Sequence, residues 1–173
     1  MTVVAPLLRL PLGVVVERRK ATSPWIDFIW RPVAVLAGVP EAAPWTVLAE
    51  DGERATFYAG AAELELYRSE ADHYRLNLAS GAPAIWVALE ASGGDPPYDI
   101  AAVTADPAEG EGLSEAGQAI IEAVPMPEPV RAAIAAVLGE HHVEEVFTKR
   151  RRDRADPEAF GRRDPRLGKN DER

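Results

Sequence analysis

The residues best suited to holding a metal fall in Glu140-His141-His142-Val143-Glu144-Glu145. Imidazole and carboxylate together suit zinc or iron. On a helix adjacent histidines diverge by about 100°, whereas residues four apart converge, as His141 and Glu145 would. That supplies two ligands, one short of a catalytic site, and no His-Glu-x-x-His is present. The competing reading is a solvated helix end whose histidines complement the negative pole of the helix. The expectation is therefore no metal and no cofactor, with a His141–Glu145 site in a small metal-binding hydrolase as the alternative. Nucleophilic catalysis finds little support: none of Ser23, Ser69, Ser80, Ser92 and Ser114 sits in a Gly-x-Ser-x-Gly elbow, and there is no cysteine. Ser69 and His73 are neighbours in sequence, but between two expected strands they serve a turn.

Phosphate cradles are missing as well. Neither Gly-x-Gly-x-x-Gly nor a Walker loop occurs, and Gly110-Glu111-Gly112 places an acid where a phosphate would sit. Leu36-Ala37-Gly38 follows an expected strand and echoes the opening of the nucleotidyltransferase loop of molybdenum-cofactor guanylylation. Val39-Pro40-Glu41 then replaces the glycine and basic residues that loop needs. Arg68, Glu70, Tyr74, Arg75 and Asn77 form a strip that could present a polar face, with merely solvated outward strand residues as the competing reading. Lys149, Arg150, Arg151 and Arg152 form a basic run suited to an acidic protein surface.

The elements that must position these residues are bounded first by charge. The 173 residues carry a formal net charge of −9, with 47% hydrophobic and 27% charged. Lys149–Arg173 holds ten basic and six acidic residues, a net of +4, which leaves residues 1–148 with nine basic and 22 acidic, a net of −13. An acidic body repels phosphate backbones and anionic lipid, so neither nucleic acid nor membrane is an expected partner. After Phe147 apolar side chains almost vanish, and such a stretch cannot bury enough surface to offset its ordering entropy. The expected organisation is one globular domain over 1–148 and a disordered charged tail over 149–173. No stretch approaches the apolar length of a membrane span. Pro6, Arg9 and Pro11 interrupt the apolar start, which reads as strand and not as signal peptide. A cytoplasmic globular protein is the expectation.

Strands are expected at Leu12–Glu17, Ile29–Leu36, Glu63–Arg68, Tyr74–Leu78, Ala84–Glu90 and Tyr98–Thr104, from β-branched runs or strict alternation. Trp45–Ala49 and Ala55–Ala59 flank Asp51-Gly52, a hairpin signal. Asp106-Pro107-Ala108-Glu109 combines an N-cap, a first-position proline and a third-position Glu, so a short helix follows to about Ala116. Ala119–Val124 leans to strand. Val130, Ile134, Val137 and Leu138 then form one apolar helical face behind Pro127-Glu128-Pro129. The expected fold is α+β: a mostly antiparallel, curled or barrel-like sheet, one or two C-terminal helices and the basic tail.

Six segments in register carry a family resemblance: Pro11–Arg19, Trp30–Val33, Leu64–Glu70, Tyr74–Leu78, Val124–Pro127 and His141–Phe147, with Lys149-Arg150 behind. In this order and spacing, over about Pro11 to Arg152, the chain resembles the bacterial domain-of-unknown-function family 3305. The resemblance implies association with molybdenum-dependent formate dehydrogenase gene clusters. Some relatives carry a label for molybdopterin-guanine dinucleotide synthesis, which makes a nucleotidyltransferase of that pathway another alternative. The leading expectation is a non-catalytic accessory or assembly protein that binds formate dehydrogenase or a molybdenum-cofactor maturation protein. Its contact residues would be Arg68, Glu70, Tyr74, Asn77, His141, His142, Glu145, Lys149, Arg150, Arg151 and Arg152.

Overall fold

A computed structural model describes residues 3–115 and 119–141. The chain divides after His142, and the second unit, Val143–Arg173, lies outside the described residues. Seven strands come in the order β1 (Leu8–Lys20), β2 (Phe28–Ala37), β3 (Thr46–Asp51), β4 (Arg54–Leu66), β5 (Ala84–Ala91), β6 (Tyr98–Thr104) and β7 (Ala119–Pro125). Three helices, α1 (Ala71–Ala79), α2 (Pro107–Glu115) and α3 (Glu128–Glu140), are placed among them, and a short 3-10 turn, Arg68–Glu70, leads into α1.

The strands form two antiparallel sheets, β2-β1-β4-β3 and β6-β5-β7. β2 lies against β7 and β4 against β6, so the sheets face one another as a curled, barrel-like pair. Register shifts at Val14/Val15 and Val15/Val16 bend the long strands, as bulges do. Between the sheets lie Leu12, Val14 and Val16 of β1, Leu64 and Leu66 of β4, and Ile85, Val87 and Leu89 of β5. Val130, Ile134 and Leu138 of α3, spaced four apart, join the same core, and α3 packs on both β1 and α1. The α+β expectation and the apolar face of the last helix therefore hold.

The Asp-Gly signal also holds: Asp51 pairs with Arg54, and Gly52 takes φ +50°, which a side chain resists and a tight hairpin needs. The two strands expected at Ala55–Ala59 and Glu63–Arg68 are one. β4 runs through Gly60 at φ +140°, a conformation that lets a strand bend without stopping, and it ends before Arg68. The clearest correction concerns Tyr74–Leu78, which is helix and not strand. Its inward residues, Ala71, Tyr74, Asn77 and Leu78, follow helical spacing, while Leu76 is 69% exposed on the outer side. Alternation misled because the inward face carries a polar Asn and the outward face a Leu. The first of the three helices thus arises mid-chain, ahead of the second sheet.

Candidate functional site

Helix α1 begins and α3 ends at the same place. Arg68, on the 3-10 turn, approaches His141, the residue after α3, with Nη2 at 3.4 Å from Nδ1. Guanidinium can only donate, so in this contact Nδ1 is the acceptor. Both residues are exposed. The structure therefore joins two segments of the expected contact surface that lie 73 positions apart. Ser69 Oγ donates to Glu70 Oε1 at 2.6 Å, while Glu70 Oε2 is buried without a hydrogen-bond partner.

Tyr74 and Asn77, expected on an outward strip, face inward. Tyr74 is 2% exposed, and its hydroxyl accepts the Tyr67 N–H at 3.1 Å. Burial pushes its phenol up to about 12, helped by the nearby Glu70, Asp106 and Glu109 carboxylates and opposed by that N–H. Asn77 is spent entirely on backbone: Nδ2 donates to the Ala84 and Ala105 carbonyls, and Oδ1 accepts the Ala84 N–H. Neither side chain is available to a partner without disturbing the core. Of the expected strip, Arg68, Glu70 and Arg75 remain at the surface edge, Arg75 donating to Asp72 at 2.8 Å. His142, Glu145, Lys149, Arg150, Arg151 and Arg152 lie outside the described residues.

Sequence reading gave His73 only a turn role, whereas the structure places it in the best-defined polar pair of this region. His73 Nδ1 lies 2.9 Å from Asp106 Oδ2. Asp106 is 4% exposed and caps α2, its Oδ1 accepting the Ala108 N–H at 2.8 Å. Thr104 closes the cap in a way the sequence only half shows. Its hydroxyl donates to Glu109 at 2.6 Å and accepts the Asp106 N–H at 3.1 Å, standing between the N-cap and the Glu of the capping box. The imidazole is thus aimed by a carboxylate that is itself fixed. That arrangement suits a general base, but Ser69, the nearest serine in sequence, is turned to Glu70, and the hydroxyl of the adjacent Tyr74 is buried and accepts the Tyr67 N–H. Among the described residues no three His, Asp or Glu side chains converge as a metal site.

The hydrogen bond to Asp106, then the charge of that carboxylate, raise the His73 imidazole above its ordinary 6.5, with smaller help from Glu70 and Asp72 and against some desolvation. A base whose pKa is higher folded than unfolded stabilises the fold fully below the unfolded value and loses that contribution as pH rises through the folded one. His73→Ala is therefore expected to lower the melting temperature most at or below pH 6, and less above the raised pKa. Equal losses in thermal melts at pH 6 and pH 9 would show that the pair is not a charged contact.

Leu36-Ala37 ends β2, and Gly38 just beyond it, at φ +100°, bridges back to Leu12. The chain then runs on to β3 without an intervening helix, so this segment has no helix N-terminus to hold a phosphate. No helix among the described residues is long and apolar enough to cross a membrane.

The chain belongs to the family described as Protein of unknown function (DUF3305), whose family model matches residues 11–151. It matches no curated protein and no solved structure.

Proposed function

We propose that this member of the DUF3305 family is a non-catalytic, cytoplasmic accessory or assembly protein that works by binding another protein. The observation that carries the reading is the meeting of Arg68 and His141, which makes one exposed patch from two segments distant in the chain. The arginine's remaining N–H groups offer donors to a partner, and the neighbouring Glu70 keeps a buried carboxylate oxygen without a hydrogen-bond partner. The run from His142 through Glu145 to Lys149–Arg152 continues from His141 in sequence and supplies the cationic part of the proposed contact. The sequence resemblance supports a partner in the molybdenum-dependent formate dehydrogenase system, either the enzyme or a protein that matures its cofactor. The nucleotidyltransferase alternative lacks support from the Gly38 segment, and the hydrolase alternative rests on Glu145, which lies outside the described residues.

The test is affinity capture with the tagged full-length chain from cytoplasm of cells grown with molybdate and formate. Formate dehydrogenase subunits or maturation proteins are expected in the eluate, and Arg68→Glu is expected to cut their recovery at least fivefold. Recovery unchanged by Arg68→Glu would remove this patch from the interface. An eluate without any protein of that system would remove the formate dehydrogenase assignment.

A further inference from the structure

We infer that the outer face of the four-stranded sheet, around Glu17, is a docking site for a short acidic segment of a partner protein. Strand pairing puts Ile29, Arg19, Arg54 and Asp51 in one row across β2, β1, β4 and β3, and Arg31, Glu17, Thr56 and Ala49 in the next. Glu17 sits at the centre of this grid with its side chain only 8% exposed. Arg31 and Arg54 lean over it from opposite sides, each through Nε, at 3.4 and 3.5 Å. These contacts are longer than the roughly 2.7–2.9 Å of a close charge-assisted hydrogen bond, and Glu17 Oε1 has no hydrogen-bond partner.

The two arginine side chains stay about half exposed, at 46% and 55%, and contact through Nε leaves the terminal nitrogens of each for an outside ligand. With Arg19 opposite Arg54, three cations on three adjacent strands surround one buried anion and face Asp51 at the margin. A planar carboxylate is the ligand that two such forks fit best. Beside them Trp25 at 90% and Ile26 at 53% in the β1–β2 turn, and Ile29 at 44% at the start of β2, are exposed, an apolar anchor of the kind found at interface centres. A long polyphosphate would meet the −13 charge of residues 1–148, whereas a few carboxylates within a Debye length meet chiefly the local arginines. This face shares no residue with the Arg68–His141 patch, so either can fail without the other.

Fluorescence anisotropy of the full-length chain with a fluorescein-labelled Glu-Leu-Glu-Asp-Leu-Glu peptide, at low ionic strength, tests the site. The Lys149–Arg173 stretch contributes the same background to every variant. Arg31→Gln and Arg54→Gln are each expected to weaken binding about tenfold, and Arg131→Gln, on α3, to leave it unchanged. Glu17→Gln keeps the shape and removes the competing charge, so it is expected to tighten binding severalfold. This variant decides the matter if an arginine variant proves too unstable to titrate. Peptide affinity unchanged in Arg31→Gln and Arg54→Gln, or weakened in Glu17→Gln, would overturn the proposal. So would equal binding of the Gln-Leu-Gln-Asn-Leu-Gln peptide. Displacement of the peptide by an equimolar thymidine oligonucleotide would assign the face to phosphate instead.

Discussion

Asn77→Ala is expected to destabilise the protein by about 3–4 kcal/mol, the largest effect of any single polar truncation in the described residues. Asn77 is 4% exposed and makes three hydrogen bonds to backbone, two as donor at 2.8 and 2.9 Å and one as acceptor at 3.0 Å. Truncation strands the buried Ala105 carbonyl and the partly buried Ala84 N–H and carbonyl, and each orphaned buried group costs about 1–3 kcal/mol. The sum is less than three full penalties because neighbouring groups relax together. For a domain of this size the loss corresponds to about 10 °C in melting temperature. Asn77→Asp keeps the acceptor but sets a carboxylate against two carbonyls, so it is expected to be at least as damaging. Urea unfolding measures both, and a loss below about 1 kcal/mol for Asn77→Ala would mean that the clamp is dispensable. The consequence reaches the candidate site, because Ala105 precedes Asp106 and Asn77 shares α1 with His73. Once the clamp is gone, the pH-dependent part of the His73 contribution is expected to shrink with it.

The second large effect is a contrast between two glycines two positions apart in α2. By helix propensity alone, replacing either with alanine should gain about 1 kcal/mol. At Gly110 a Cβ would stand 2.3 Å from Trp86 Cγ, 2.5 Å from Cδ1 and 2.7 Å from Cδ2. Those atoms are the root of the indole and cannot swing away unless Trp86 or the helix shifts. Gly110→Ala is therefore expected to cost about 2–3 kcal/mol net, in the range of overpacked cores. Nothing lies within 4 Å of a Cβ at Gly112, so Gly112→Ala is expected to stabilise by about 0.5–1 kcal/mol. Opposite signs in parallel urea titrations are the expected outcome. The same sign for both would show that α2 does not rest on Trp86 as described.

Much of this architecture is written locally. β1 and β5 are runs of β-branched and aliphatic residues, Asp51-Gly52 dictates a tight turn, and Asp106-Pro107-Ala108-Glu109 opens a helix wherever it is placed. α3 shows its buried stripe through Val130, Ile134 and Leu138 because nothing polar interrupts it. α1 hides its own, since the residue that completes its inward face is Asn77, and only its backbone partners make a buried amide favourable.

The chemistry-bearing residues divide the same way. The sequence by itself determined an acidic body without cysteine, an α+β arrangement of antiparallel strands and helices, and the segments that place the chain in its family. Local propensity, turn chemistry and charge need no knowledge of what lies opposite. Only the tertiary structure decided that Arg68 meets His141, that Asp106 aims His73, that Glu17 is buried between Arg31 and Arg54, and that Gly110 must lack a side chain. Each of those facts is a distance between groups far apart in the chain, set by how strands register and helices pack. No periodicity within a single segment encodes it.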